Sequence, residues 1–205
     1  PTATVCPAAR LVVLQEQPTI YRFYALGVPA DTVEGDHYAL RQDYALRFEL
    51  RLSRQLQPVC FAASSACDMF VVGVAGTLKL YHFDTTTSPW TVVPSVVEVD
   101  GIPKFLHLDG TILTVVFANG KVVTYTIAVV DGALQLTVTA SAQLNTVVRA
   151  SFSDSRMACI TCHHKVFRVE SLSLPKLKPI AVPALAPNPA RVFFNGTTAY
   201  VTTQG

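Results

Sequence analysis

Residues 104–139 read KFLHLDGTILTVVFANGKVVTYTIAVVDGALQLTVT, and this stretch decides the fold. It contains four short hydrophobic runs, which predict strands at residues 104–108, 111–117, 121–129 and 134–139. The links between the runs are Asp109-Gly110, Asn119-Gly120 and Asp131-Gly132. Such dipeptides accept positive φ and favour two-residue hairpin turns. The stretch therefore predicts a meander of four antiparallel strands.

The same unit recurs along the chain, and each copy carries an aromatic residue that starts a triplet ending in an aliphatic or aromatic residue. The triplets are Tyr21-Arg22-Phe23, Tyr81-His82-Phe83, Tyr125-Thr126-Ile127 and Phe167-Arg168-Val169. The last three begin at intervals of 44 and 42 residues, the period expected of β-propeller blades. We therefore predict an all-β fold, a β-propeller of four-stranded antiparallel blades, with about four and a half blades present in one domain.

The copies place the blades at about residues 1–55, 56–100, 101–144 and 145–186, with an incomplete blade at residues 187–205. The first copy is the loosest, with three predicted strands (10–14, 19–26 and 45–52) and an acidic insertion at residues 27–37. Open strand edges at both ends recruit other strands. The sequence thus predicts a piece of a longer ring of six to eight blades.

The blade length and the aromatic residue of each third strand resemble WD40-type propellers. The resemblance covers nearly the whole chain, but the family's Trp-Asp pair is replaced by Tyr21-Arg22, Tyr81-His82, Tyr125-Thr126 and Phe167-Arg168, and the Gly-His pair is absent. It implies a divergent WD40-like repeat protein. Such a protein would present loops and blade edges as binding surfaces.

Composition agrees with an all-β domain, because half of the residues are hydrophobic and 15% are charged. The net charge of +2 does not by itself indicate nucleic acid. No apolar run reaches the roughly 18–20 residues that span a bilayer. Five cysteines form an odd and irregularly spaced set, which favours reduced thiols and a cytoplasmic or nuclear protein.

Cys159-Ile160-Thr161-Cys162-His163 matches the C-x-x-C-H pattern of covalent haem attachment. The repeat places Cys159 within a second strand, where side chains three residues apart point to opposite faces. A zinc site formed by Cys159, Cys162, His163 and His164 is the weaker alternative, because structural zinc sites usually draw a second ligand pair from elsewhere. We therefore predict no cofactor and no metal.

Charged residues of the first blade are the candidates for partner binding. Residues 46–52 alternate apolar and charged side chains, which predicts an outer strand with one charged face. Arg47, Arg51 and nearby Arg54 could bind an acidic partner or an RNA backbone, although charge on an edge strand also protects against unwanted pairing. Asp31, Glu34 and Asp36 in the insertion are further candidates.

The sequence contains no Gly-x-Ser-x-Gly nucleophile elbow, P-loop, H-E-x-x-H metalloprotease motif or dinucleotide-binding fingerprint. The sequence thus favours a non-catalytic scaffold, a subunit of an intracellular multiprotein assembly whose partners are other protein subunits. One alternative is a propeller enzyme with its site at the channel mouth, around His107 or residues 27–37, completed by further blades. A weaker alternative is an RNA-associated subunit that uses the arginine-rich strand.

Overall fold

Antiparallel sheets built from consecutive strands make up the chain. The computed structural model describes residues 2–26, 46–183 and 188–204, and the strands are the regular elements in these residues. Blade 1 contains β1 (Thr2–Cys6), β2 (Leu11–Gln17), β3 (Ile20–Ala25) and β4 (Leu46–Arg51), and blade 2 contains β5 (Cys60–Ala63), β6 (Met69–Val74), β7 (Thr77–Asp84) and β8 (Thr91–Glu98). Blade 3 contains β9 (Pro103–Asp109), β10 (Ile112–Phe117), β11 (Lys121–Val130) and β12 (Ala133–Gln143).

Blade 4 contains β13 (Thr146–Ser153), β14 (Arg156–His163), β15 (Val166–Ser173) and β16 (Lys178–Ile180). A half-blade follows, made of β17 (Pro189–Asn195) and β18 (Thr198–Thr203). Within every sheet the spatial order of the strands is their order in the chain. The predicted meander and the predicted four and a half blades are thus confirmed.

The turns of blade 3 differ from one another although all three contain glycine at positive φ. Asp131 and Gly132 form a two-residue loop with φ of 51° and 80°, as predicted. At the β9–β10 turn the loop residues are Gly110 and Thr111, because Asp109 already pairs with Ile112. At Gly120 the loop is longer, and its amide donates to the carbonyl of Phe117 at 3.0 Å. The prediction of a two-residue turn at Asn119-Gly120 was wrong.

The hydrophobic core lies between sheets. Four clusters of buried side chains occupy the junctions of blades 1 and 2, 2 and 3, 3 and 4, and blade 4 with the half-blade. Gly73 shows how closely two blades approach, since a Cβ there would lie 2.7 Å from Cys60 Sγ and 2.9 Å from Pro103 Cβ. Each blade is therefore stabilised by contact with its neighbours, as in repeat proteins.

The first strands of the sheets lie next to one another, with contacts of β1 to β5, β5 to β9 and β13 to β17. They therefore surround the axis of the molecule. The meander gives the molecule two faces. The loop face carries the described turns that follow the first strands and those between third and fourth strands, and the linker face carries the turns between second and third strands and the links between blades.

Two sequence-based assignments are corrected. The first blade has a fourth strand, β1, that was not predicted. The aromatic triplets also do not occupy one equivalent position. Tyr81 and Tyr125 are both the fifth residue of their strands and are buried, but Tyr21 and Phe167 are the second residues of theirs. Phe167 is 44% exposed, so it does not repeat the packing of the buried tyrosines.

The β14–β15 turn stores backbone strain that can be relieved. His164 and Lys165 both have positive φ, 46° and 65°, in a two-residue loop closed by the His163–Val166 pair. Asn-Gly is the preferred pair for such a loop, so His164→Asn with Lys165→Gly should stabilise the chain by about 1 kcal/mol. Urea unfolding measures this. Asp131→Asn is the control, because Gly132 is already present in that comparable loop, and it should change the free energy of unfolding little. An equal gain in stability from both variants would contradict the explanation.

Candidate functional site

Two cavities formed by described residues open on the loop face. The larger, with a volume of about 740 Å³, lies between blades 1 and 2, and the smaller, about 450 Å³, lies near the axis. We call them the arginine cavity and the channel cavity. A ridge formed by residues 7–9 and 65–66 separates them. The ridge is held by hydrogen bonds from the amides of Ala8 and Ala9 to Ser65 Oγ (3.3 Å) and Ser65 O (3.1 Å).

The arginine cavity is positively charged. Its charged lining residues are Arg10 and Arg47, both exposed, and neither forms an ion pair with a described residue. Four consecutive hydroxyl residues, 85–88, line the opposite wall beside Trp90. Asp84 is turned into its own loop, where the Thr86 amide donates to its carboxylate at 2.9 Å. The hydroxyls of Thr86 and Thr87 also donate to Asp84. The cavity thus offers the two guanidinium groups and the hydroxyls of Thr85 and Ser88 to an anionic group.

Aromatic packing makes the floor of this region rigid. Trp90 stacks on Phe48 with ring centroids 5.5 Å apart and an interplanar angle of 16°. Phe23 lies beneath both rings and makes edge contacts to Phe48, Phe70, Phe83 and Trp90 at 5.3–5.8 Å. The junction of blades 1 and 2 therefore holds the arginine cavity in a fixed shape, which lowers the entropic cost of binding.

The channel cavity has the opposite charge. First strands of blades 1 to 3 supply its apolar walls, and His107, Asp109 and Asp154 supply its titratable groups. His107 stacks in parallel on Phe152 with centroids 5.0 Å apart, and its buried Nε2 has no hydrogen-bond partner among the described residues. Burial lowers the pKa of His107, against the opposing effect of Asp109 and Asp154. The imidazole is therefore neutral at neutral pH, and the two carboxylates dominate the cavity.

The lowered pKa of His107 predicts a loss of stability in mild acid. The unfolded chain binds the proton near pH 6.5, before the folded chain does, so stability is full above about pH 6.5 and falls as the pH drops toward the folded-state pKa. His107→Phe keeps an aromatic ring against Phe152 and removes this titration. Unfolding in urea between neutral and mildly acidic pH should show a steeper decline for the parent chain than for the variant. Parallel declines would contradict the assignment.

The structure does not bring the predicted partner-binding arginines, Arg47, Arg51 and Arg54, together at one site. Arg47 lies at the loop-face end of β4 and lines the arginine cavity. Arg51 lies at the other end of the strand, where its Nε forms an ion pair with Glu49, which also accepts from Arg22 Nε at 2.6 Å. Arg54 is exposed in the link to blade 2. Asp31, Glu34 and Asp36 lie outside the described residues.

The C-x-x-C-H motif does not form one site in the structure. Cys159 is fully buried in the cluster between blades 3 and 4. Ala158 and Ile160 face the half-blade, and by strand alternation Cys162 shares their side rather than that of Cys159. His163 is the last residue of β14, and His164 lies in the turn that follows. No group of three or more potential metal ligands occurs in the described part of the chain.

This arrangement predicts unequal thiol reactivity. All five cysteines are free. Burial raises the pKa of Cys159 and of Cys60 to about 12. Cys6 and Cys67 are buried, and Cys162 is half-buried. Because the thiolate is the reactive form, iodoacetamide at mildly alkaline pH should label Cys162 first, and Cys162→Ser should remove the fast label seen by peptide mass mapping. Rapid labelling of Cys159 in the folded chain would contradict its buried position.

Comparison with known proteins identifies the fold. No family model and no curated protein matches the chain. Among solved structures, the beta-propeller domain of Myceliophteria thermophila Cps50 (Swd1) superposes with a TM-score of 0.65 at 11% identity, covering 98% of this chain and 66% of that one. The fold is a β-propeller. Raptor from Chaetomium thermophilum superposes on this propeller with a TM-score of 0.59 at 16% identity, covering 97% of this chain and 17% of that one.

The computationally designed Ika4 protein also resembles this propeller, with a TM-score of 0.51 at 13% identity over 75% of this chain and 94% of that one. The propeller spans less than two thirds of the length of the Swd1 domain and a small part of Raptor. These likenesses concern the fold. No described helix of the propeller is long and apolar enough to cross a bilayer.

Proposed function

We propose that this propeller is a non-catalytic scaffold that binds other proteins through its loop face, as a subunit of an intracellular multiprotein assembly. The observation that carries the proposal is the convergence of two cavities of opposite charge on that face, on either side of one ridge. Concave sites with a few charged groups on a rigid framework are typical binding sites. Four interblade core clusters supply that framework.

A cytoplasmic or nuclear location is part of the proposal. The five cysteines are spread over blades 1, 2 and 4, and Cys6 and Cys67 share one buried cluster without forming a disulfide. Structural disulfides are rare in reducing compartments. Free, mostly buried thiols therefore support an intracellular protein.

The test is isolation of the parent protein from its source under gentle conditions, followed by native and then denaturing mass spectrometry. We expect co-purifying subunits, and chemical crosslinks from them should map to loop-face residues such as Arg47 and Asp154 more than to linker-face residues such as Glu98 and Lys165. A parent protein that never carries a partner would overturn the scaffold proposal. Crosslinks confined to the linker face would overturn the choice of face.

A propeller enzyme is the second candidate, and the grouping of His107, Asp109 and Asp154 in the channel cavity is the observation that favours it. A neutral imidazole can act as a general base toward a proton within hydrogen-bond reach. A carboxylate that accepts a hydrogen bond from its other ring nitrogen orients such an imidazole. Among the described residues, however, no hydrogen bond joins His107 to either carboxylate. Hydrolysis of p-nitrophenyl esters or phosphates that is lost in His107→Phe would favour this candidate.

The RNA-associated alternative receives less support, because Arg47 and Arg51 lie at opposite ends of β4 and Arg51 forms an ion pair with Glu49. Binding through phosphate contacts would weaken steeply with salt. RNA binding with such a salt dependence, lost on reversal of Arg47 and Arg51, would favour it over the scaffold.

A further inference from the structure

The charges of the two cavities are opposite in sign. The arginine cavity carries Arg10 and Arg47, and the channel cavity carries Asp109 and Asp154. All four side chains belong to exposed residues, and none forms an ion pair within the described residues. No described residue therefore competes with a ligand for these charges, and opposite charges on a partner would be attracted to different cavities.

Only a narrow ridge lies between the cavities. Pro7 and Ser65 line the channel cavity, and the next residues in each segment, Ala8 and Ala66, line the arginine cavity. The ridge carries small side chains and is tied by two hydrogen bonds to Ser65. An extended chain that crosses it can place side chains in both cavities, since such a chain advances by about 3.3 Å per residue.

We propose that the loop face binds an extended segment of a partner protein in one direction, with acidic side chains in the arginine cavity and a lysine or arginine in the channel cavity. This inference rests on the proposed scaffold function and names the chemistry of its partner. The guanidinium groups and the hydroxyls of Thr85 and Ser88 match carboxylates. The two aspartates, with no positive charge on the neutral His107 to oppose them, match a cation whose stem contacts the apolar walls formed by Val5, Phe61 and Leu106.

Engagement of both cavities by one segment makes the second contact intramolecular. A bipolar segment should therefore bind at least about tenfold tighter than a segment that carries only one kind of charge. The acidic residues must lie in the arginine cavity and the basic residues in the channel cavity. A segment with these residues in the reverse order must therefore bind with its backbone running in the opposite direction. One order should bind tighter than the other.

The chain contains its own reporters for the test. Trp90 is the single tryptophan and lines the arginine cavity, so its fluorescence reports binding there. The ring resonances of His107 report binding in the channel cavity. The probes are synthetic peptides of glutamate and lysine blocks joined by glycine-serine spacers of several lengths, in both orders, together with all-glutamate and all-lysine peptides of equal length.

We expect the tighter-binding bipolar peptide to change both reporters, the all-glutamate peptide to change only Trp90, and the all-lysine peptide to change only His107. Arg10→Glu with Arg47→Glu should abolish the Trp90 response and keep the His107 response. Asp109→Lys with Asp154→Lys should abolish the His107 response and keep the Trp90 response. The fourfold variant should prefer the peptide of reversed order, and circular dichroism should show that these exposed substitutions leave the fold intact.

Lys165→Glu and Glu98→Lys are matched controls, because both residues are exposed on the linker face. They should leave peptide binding unchanged. Equal affinities for both orders, or charge reversals without effect, would overturn the inference. Partners recovered by mass spectrometry that bind all loop-face variants equally would leave the scaffold function standing and remove only the proposed charge pattern.

Discussion

Replacing Phe23 with alanine is expected to remove about 3–5 kcal/mol from the free energy of unfolding, as for other buried aromatic residues. Phe23 is fully buried and its ring contacts four other aromatic rings at the junction of blades 1 and 2. The alanine would leave a cavity that rigid β-sheets on both sides cannot fill. Such a loss is a large fraction of the total stability of a typical domain, about 5–15 kcal/mol.

Urea unfolding followed by Trp90 fluorescence measures the effect, since Trp90 lies 5.8 Å from Phe23 between ring centroids. Phe193→Ala is the control. Phe193 is 46% exposed and stacks only on Tyr200 in the half-blade, so its loss should cost about 1 kcal/mol or less. Equal losses of stability in the two variants would show that the aromatic cluster between blades 1 and 2 does not contribute more to stability than an exposed ring.

Replacing Gly120 with alanine is expected to destabilise the chain by about 3 kcal/mol or more, because two penalties add. Gly120 has φ of +85°, a region that side chains disfavour. A Cβ there would also lie against the carbonyl oxygens of Leu144 and Asn145, 2.5 Å from the latter. Backbone carbonyls in the link between blades 3 and 4 cannot move aside without breaking the hydrogen bond from Leu144 N to Gly120 O.

Gly132→Ala separates the two penalties. Gly132 has a similar φ of +80°, but a Cβ at this position would meet no atom within 4 Å, so its substitution should cost only the conformational term, about 1 kcal/mol. The midpoints of urea unfolding give the difference. If Gly120→Ala does not fold, a fall in soluble yield that Gly132→Ala does not share gives the same answer. Equal costs would contradict the steric explanation.

Local features allowed most of the fold to be predicted. Blade 3 was predicted well because its glycine turns and alternating strands are encoded within a few residues of each other. β1 was missed because the turn that follows Thr2–Cys6 runs through Pro7 and contains no glycine. The aromatic alignment failed at Tyr21 and Phe167 because similar spacing along the chain does not guarantee the same position in the strand.

The candidate site was less predictable because its residues come together only after folding. His107 and Arg47 were singled out from the sequence, but Arg10, Asp109 and Asp154 were not. Asp109 resembled an ordinary turn residue, and Asp154 reaches the channel cavity from blade 4. The small residues next to Arg10, at positions 7–9, were the one local signal of a tight approach between loops.

The position of the hydrophobic core between blades, rather than within them, has a consequence for amide hydrogen exchange. Among the described residues, blades 2, 3 and 4 have a core cluster on each side and blade 1 has one on one side, whereas the half-blade shares only the smallest cluster, the one with blade 4. Nearest-neighbour coupling of this kind makes opening spread from the least-supported unit. Amides of β17 and β18 should therefore exchange first, blade 4 should follow, and the slowest protons of the chain should belong to β6, β7, β10 and β11.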